Sequence, residues 1–178
     1  MVVGGSGVGK DTVMRHARPL LPRARIVRRV ITRPAEPNED HEPMTASEFA
    51  RRDADGGFAV TWEAHDLRYA VPRVACAGVA IVNGSRRALD RIEAAFARIA
   101  VVEITASADT RAQRLRRRGR EGDAEIARRV AREAPVPARF RPLRIANEGT
   151  PQEAARAFAD AVHALFPTNR EPAATRSR

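Results

Sequence analysis

Residues Gly4-Gly5-Ser6-Gly7-Val8-Gly9-Lys10-Asp11-Thr12 constrain this chain more than any other segment. They fit G-x-x-x-x-G-K, a pattern that works only between a strand and a helix. Its glycines let the backbone close around a phosphate with N–H groups turned inward. The lysine then reaches the β- and γ-phosphates, and the helix starting there adds its dipole. The hydroxyl residue that usually follows the lysine is Asp11 here, with Thr12 next. Lys10 is also the single lysine of the chain. A chance glycine-rich turn is the bland alternative. The apolar Val2-Val3 before the loop and the helical pattern after it argue against that alternative.

Composition sets further bounds. At 178 residues the chain is long enough for one domain with a sizeable core. No run of about 18 apolar residues marks a membrane span. Glycines at position 4 leave no room for the apolar part of a secretory leader. The lone Cys76 excludes an internal disulfide, and a cytoplasmic setting is expected. A formal charge of +10 raises the question of nucleic acid. Aromatic residues make up only 4% of the chain, which leaves little for base stacking. An excess of Arg and Ala over Lys reads as the signature of a GC-rich genome. Small, highly phosphorylated ligands are the better expectation than nucleic acid.

Strand and helix patterns then alternate. Met1-Val2-Val3 reads as the end of a buried strand, short enough to suggest a native start upstream of Met1. A helix over 10–18 follows the loop, then a strand over 26–31. Residues 34–44, rich in Pro, Asn, Asp and Glu, read as a loop. Thr45 and Glu48 have the spacing of a capping box for a helix over 45–52. Residues 58–62 and 68–71 read as a hairpin, and Val79 to Val82 as a buried parallel strand. A helix over 87–97, a strand over 99–104 and helices over 107–118 and 123–133 come next. Leu143 to Ala146 reads as the last strand. Thr150, Pro151 and Glu153 open the last helix, with a capping box and proline in its first turn. From Pro167 onward the tail is expected to be disordered. This order predicts an α/β fold with a central parallel sheet flanked by helices.

Four further clusters carry chemistry. Arg29, Thr32 and Arg33 stand at a strand end, where a guanidinium fork suits a phosphate. Trp62, Glu63, His65 and Tyr69 converge on the hairpin, with Trp62 expected in the core. Asn83, Ser85 and Arg86 follow a buried strand, where open α/β sheets bind ligands. No acid stands there to hold a metal, so a magnesium ion would come with the nucleotide, helped by Asp11 and Thr12. Arg111, Arg114 and Arg118 share one helical face, and Arg120, Arg128, Arg129 and Arg132 follow. Such a set can cover a transferring phosphoryl group as a lid; a solvated basic face is the alternative.

In this order, the Gly-Lys-Asp loop, Val-Ile-Thr-Arg, Trp-x-Ala-His-x-Leu-x-Tyr, Val-Asn-Gly-Ser-Arg and Arg-Gly-Arg-Glu resemble the PhnN family. These are the ribose 1,5-bisphosphate phosphokinases of phosphonate metabolism, related to guanylate kinases. The resemblance runs from Val2 to about Phe166. It implies a P-loop nucleoside-monophosphate-kinase-like fold in one domain over 1–166, with an acceptor region over 32–75 and a lid over 111–133. It also implies a reaction: ATP phosphorylates ribose 1,5-bisphosphate to 5-phosphoribosyl 1-diphosphate (PRPP). By position, Gly4 to Thr12 would hold the ATP phosphates, with Lys10 as the catalytic cation. Arg118 and Arg129 would be the catalytic lid arginines, with Arg114 and Arg120 in support, and Asn147 would approach the adenine. Arg29, Thr32 and Arg33 would grip an acceptor phosphate. Glu63, Tyr69, Asn83, Ser85 and Arg86 would line the sugar side.

The chain also departs from the patterns it resembles. Guanylate kinases read guanine and its phosphate with a tyrosine after the acidic loop and an acid after the central strand. His41 and Asn83 stand there instead. Ala70 replaces a usual glycine, and Glu63 stands where the family often has histidine. The competing expectations are a guanylate-kinase-like nucleotide kinase, a non-catalytic scaffold of the same fold, and a basic nucleic-acid binder.

Overall fold

The computed structural model describes residues 1–35, 39–64, 66–73, 78–119, 122–131 and 135–167. Asn38, His65, Cys76, Arg120, Arg132 and the tail from 168 lie outside the described residues.

A parallel sheet forms the centre. Its strands are β1 (Val2–Val3), β2 (Ala24–Val27), β7 (Val79–Val82), β8 (Val102–Thr105) and β9 (Leu143–Ala146). β2 pairs β7, and β8 pairs both β1 and β9. Val2 bridges Asn83, and the Gly84 N–H donates to the Val2 carbonyl at 2.9 Å. The two groups therefore meet in the order β2-β7-β1-β8-β9.

Alternation along β1 separates the layers. Val2 packs with Val13, Met14 and Ala17 of α1 (Lys10–Ala17) and with Phe158 and Val162 of α6 (Pro151–Leu165). Val3 packs on the opposite side against Leu89 of α3 (Leu89–Ala95). Burying a side chain such as Phe158, 1% exposed, contributes ~2–3 kcal/mol.

A second sheet projects from this core. It orders β4 (His41–Pro43), β3 (Arg29–Ile31), β6 (Leu67–Pro72) and β5 (Phe58–Ala64). The expected hairpin is β5–β6, with Trp62 opposite Tyr69. Its helix α2 (Ala46–Ala54) carries the full Thr45–Glu48 capping box and buries Phe49 against Phe58.

Two expectations need correction here. The stretch 26–31 is not one strand. It divides at Arg28, which pairs with Asp40 at 2.7 Å and donates to the His41 carbonyl. At Arg28 the chain leaves the parallel sheet and enters the second one. The stretch 34–44 is not all loop either. His41–Pro43 pairs in parallel with β3, because backbone pairing and a buried His41 outweigh its polar composition.

Two helices complete the described residues, α4 (Ala108–Arg118) and α5 (Asp123–Ala131). Ser107 caps α4 through the Thr110 N–H, and the helix ends at Gly119 in a left-handed conformation (φ 65°).

Candidate active site

The loop between β1 and α1 has the geometry its glycines require. A Cβ on Gly4 would lie 2.3 Å from the Ile104 carbonyl oxygen, so the loop rests directly on β8. Gly9 adopts φ 88°, which positions it as the N-cap of α1. No side chain caps that helix, which leaves its first-turn N–H groups open to an anion.

Three side chains hold the loop from beneath. Arg111 donates from Nε to the Ser6 carbonyl at 2.9 Å and from Nη2 to the Val130 carbonyl at 3.1 Å. Arg114 donates to the carbonyls of Val8 at 3.3 Å and Asn147 at 2.9 Å. The Asn147 side-chain amide donates to the Val8 carbonyl at 2.8 Å. In a trans peptide the carbonyl and the next N–H point in opposite directions. Fixing the Ser6 and Val8 carbonyls underneath therefore turns the Gly7 and Gly9 N–H groups toward the other side.

Lys10 donates to the carbonyls of Gly4 at 2.9 Å and Gly5 at 3.3 Å. Burial lowers its pKa to about 8. Asp11 opposes that shift, while the charges of Arg29, Arg86 and Arg118 add to it.

The loop opens onto a cleft of about 300 Å³, lined by Gly4, Gly5, Ser6, Lys10 and Asp11 on one side. Across it stand Arg29 and Tyr69 of the second sheet, Arg33 just past β3, the segment Asn83 to Arg87, and Arg129 of α5. Asp11 is the one acid among the lining residues, and the Asn83 amide donates to it. Asp11, Arg29 and Asn83 also border an adjoining cavity of about 600 Å³ that continues past Arg25 and Arg28.

Tyr69 is stacked on Trp62 with ring centroids 5.3 Å apart, and the Arg29 guanidinium lies 6.0 Å from its ring. Trp62 is thus both a core residue and part of the cleft wall. Arg29 Nε is buried without a hydrogen-bond partner, and burial lowers the Arg29 pKa. Burial raises the Tyr69 pKa, and the charges of Arg29 and Arg33 partly offset this. Arg33 is paired with Glu39.

Other expected residues stand elsewhere. The Thr32 hydroxyl accepts from the Arg68 N–H at 2.9 Å and fastens the end of β3 to β6. The Glu63 side chain is 81% exposed and lines not the cleft but a neighbouring pocket with Arg68 and Arg91, which shares Trp62 and Arg87 with it. Arg111 and Asn147, 2% and 3% exposed, lie under the loop rather than among the cleft-lining residues. Arg118 is exposed at the end of α4, near enough in charge to affect Lys10.

Sequence reasoning passed over Glu103, which pairs with Arg86 behind the cleft. An acid inside the apolar run Val101-Val102-Glu103-Ile104 was the available signal. Among the described residues no group of His, Cys, Asp or Glu is arranged to hold a metal by itself.

No family model matches the chain. It is 45% identical over 155 residues to ribose 1,5-bisphosphate phosphokinase PhnN of Pseudofrankia inefficax, covering 84% of this chain and 82% of that one. It is 42% identical over 163 residues to the protein of the same name from Methylobacterium radiotolerans, covering 87% and 91%. Guanylate kinase from Anaplasma phagocytophilum superposes with a TM-score of 0.63 at 18% identity, covering 95% of this chain and 87% of that one. That superposition establishes the guanylate-kinase fold. The identities to the curated proteins go further, and by them this chain belongs to the ribose 1,5-bisphosphate phosphokinase PhnN family.

Proposed function

We propose that this protein transfers the γ-phosphoryl group of ATP to the 1-phosphate of α-D-ribose 1,5-bisphosphate. An oxygen of the 1-phosphate forms a bond to the γ-phosphorus, the β–γ bridging bond breaks, and ADP leaves. The product is 5-phospho-α-D-ribose 1-diphosphate (PRPP).

One observation carries the reading. A phosphate loop with its lysine faces a wall of arginines across a single cleft whose one acid is already bonded to Asn83. Such a cleft suits a reaction in which donor, acceptor and transition state all bear phosphate charge. The acceptor oxygen is ionised at neutral pH, so positioning and electrostatics replace a general base. Lys10 would neutralise the β/γ oxygens, and Arg118 and Arg129 the transferred group. Arg29 and Arg33 would hold an acceptor phosphate beside Tyr69, Asn83, Ser85 and Arg86. The acceptor region over 32–75, the lid over 111–133 and a cytoplasmic setting belong to the same proposal. No helix among the described residues is long and apolar enough to cross a membrane.

Magnesium fits this cleft. Asn83 Oδ1 is buried without a partner next to the Asp11 carboxylate, and with Thr12 these groups would hold the ion or its waters. Bound there, it would withdraw charge from the β- and γ-phosphate oxygens.

A guanine acceptor is disfavoured. His41, 1% exposed, is buried on β4, and the Asn83 amide is engaged by Asp11. The test is ADP release with Mg-ATP on ribose 1,5-bisphosphate, GMP, AMP and ribose 5-phosphate. Turnover on the first alone, yielding PRPP, is expected. Turnover on GMP instead would overturn the acceptor assignment.

A further inference from the structure

Arg86 is held by a partner that no sequence motif marks. Glu103 lies on β8, where register sets it beside Val3 of β1 and Arg144 of β9. Val3 and Val101 pack in an apolar cluster with Leu89, so this face of β8 is otherwise hydrophobic. An isolated carboxylate on such a face is strongly unfavourable, so its presence calls for partners. The acid is fully paired. Oε1 accepts from Arg86 Nη2 at 2.9 Å, and Oε2 accepts from Arg144 Nε at 3.0 Å.

The two arginines differ in what they face. The Arg144 side chain is 69% exposed. The Arg86 side chain is 13% exposed, against 7% for Glu103, and lines the cleft with Lys10 and Arg29. Its Nε is buried and has no hydrogen-bond partner among the described residues. One corner of the guanidinium fork is thus anchored while another donor is left over. Lys10, Arg29 and Arg86 gather like charge in one place, and an anchored carboxylate also eases their mutual repulsion.

We infer that Glu103 is a positioning residue for the acceptor side of the cleft, acting through Arg86. It holds one edge of the guanidinium so that the remaining donors are presented in a fixed direction to an acceptor phosphate. The inference rests on the reading of this cleft as a kinase for ribose 1,5-bisphosphate. The alternative is a purely structural ion cluster tying β8 to β9 and to the turn after β7.

Glu103→Gln separates the two, since the amide keeps the shape and removes the charge. The expected result is an acceptor KM raised about tenfold, with the ATP KM unchanged. In an Arg86→Ala background the same change should alter the acceptor KM less than about twofold, because the residue it acts through is gone. Effects that multiply independently in the double variant would overturn the role, as would equal changes in both KM values.

A second readout needs no substrate. The Arg86 Nε–H, assigned by its loss in Arg86→Lys, should give one slowly exchanging NMR signal in the wild-type protein. It should broaden or exchange rapidly in Glu103→Gln. An unchanged signal would reject the role. Glu103→Asp, which withdraws the charge by one methylene, should repeat both patterns at smaller size and serves if the glutamine variant does not fold. Should the wild type give no ADP with ribose 1,5-bisphosphate, the proposed reaction falls and the acceptor-side role with it; turnover with an acceptor KM unchanged in Glu103→Gln would overturn the positioning role alone.

Discussion

The floor of the phosphate loop and the wall opposite are both built with arginine, and they use it in opposite ways. Under the loop, Arg111 and Arg114 donate to the backbone carbonyls of Ser6, Val8, Val130 and Asn147. On the wall, Arg33 and Arg86 are held by the carboxylates of Glu39 and Glu103. An arginine bonded to carbonyls shapes the backbone and keeps its charge, but its engaged donors cannot also bond a ligand. An arginine anchored at one edge by a carboxylate can still present another edge to phosphate. The same residue type thus serves as scaffold on one side and as recognition group on the other.

The comparison can be broken in order of expected effect. Lys10→Ala removes the one cation the loop itself supplies, and should lower kcat by about a thousandfold or more without changing the melting temperature much. ADP release and thermal unfolding together check this; activity near wild type would remove the loop from the mechanism.

Arg111→Leu attacks the scaffold. It strands buried carbonyls of the loop and of α5, with an expected loss of ~3 kcal/mol and a melting temperature lower by roughly 10 °C. A raised ATP KM should accompany it. An unchanged melting temperature would mean that Arg111 is not a brace.

Arg33→Ala attacks the wall. The acceptor KM should rise by roughly ten- to a hundredfold, the worth of one or two charge-assisted hydrogen bonds. Melting temperature and ATP KM should stay put, and a fall in stability like that of Arg111→Leu would erase the distinction between the two regions.

The smallest effect is one of pH. Free Lys10, with its pKa lowered to about 8, loses its proton as pH rises through that value. The kcat/KM for ATP should then fall by up to about tenfold per pH unit above it. Stability should move the other way. Below the folded pKa, burial of the charged lysine costs stability. Between about 8 and the ordinary lysine value of 10.5, only the unfolded chain keeps the proton, so this cost diminishes with rising pH. Activity falling while Lys10's contribution to stability rises would distinguish its titration from general alkaline unfolding.

Much of the fold was legible because its signals are local. The capping boxes at Thr45–Glu48 and Thr150–Glu153 need only three-residue spacing, and both form. The glycine loop before α1 and the β5–β6 hairpin likewise follow from short-range rules. The cleft was partly legible. Arg29, Arg33, Tyr69, Asn83, Ser85 and Arg86 do come together around Lys10, while Thr32 and Glu63 do not line that cleft. The break at Arg28 was hidden, since a run of strand-forming residues says nothing about which sheet each half will join.

From the sequence alone came the phosphate loop and most of the alternation of strands and helices. These depend on backbone conformations and periodicities encoded within a few residues. Helical spacing grouped Arg111, Arg114 and Arg118 on one face of α4, and the first two do meet the loop. Tertiary structure decided where that face points, because their partners Ser6 and Val8 lie more than a hundred positions away in the chain. It likewise decided that Glu103, an acid in an apolar strand, should meet Arg86 at the edge of the cleft. Charge and residue type can be read from a sequence, but the direction of a donor is set only when distant segments pack.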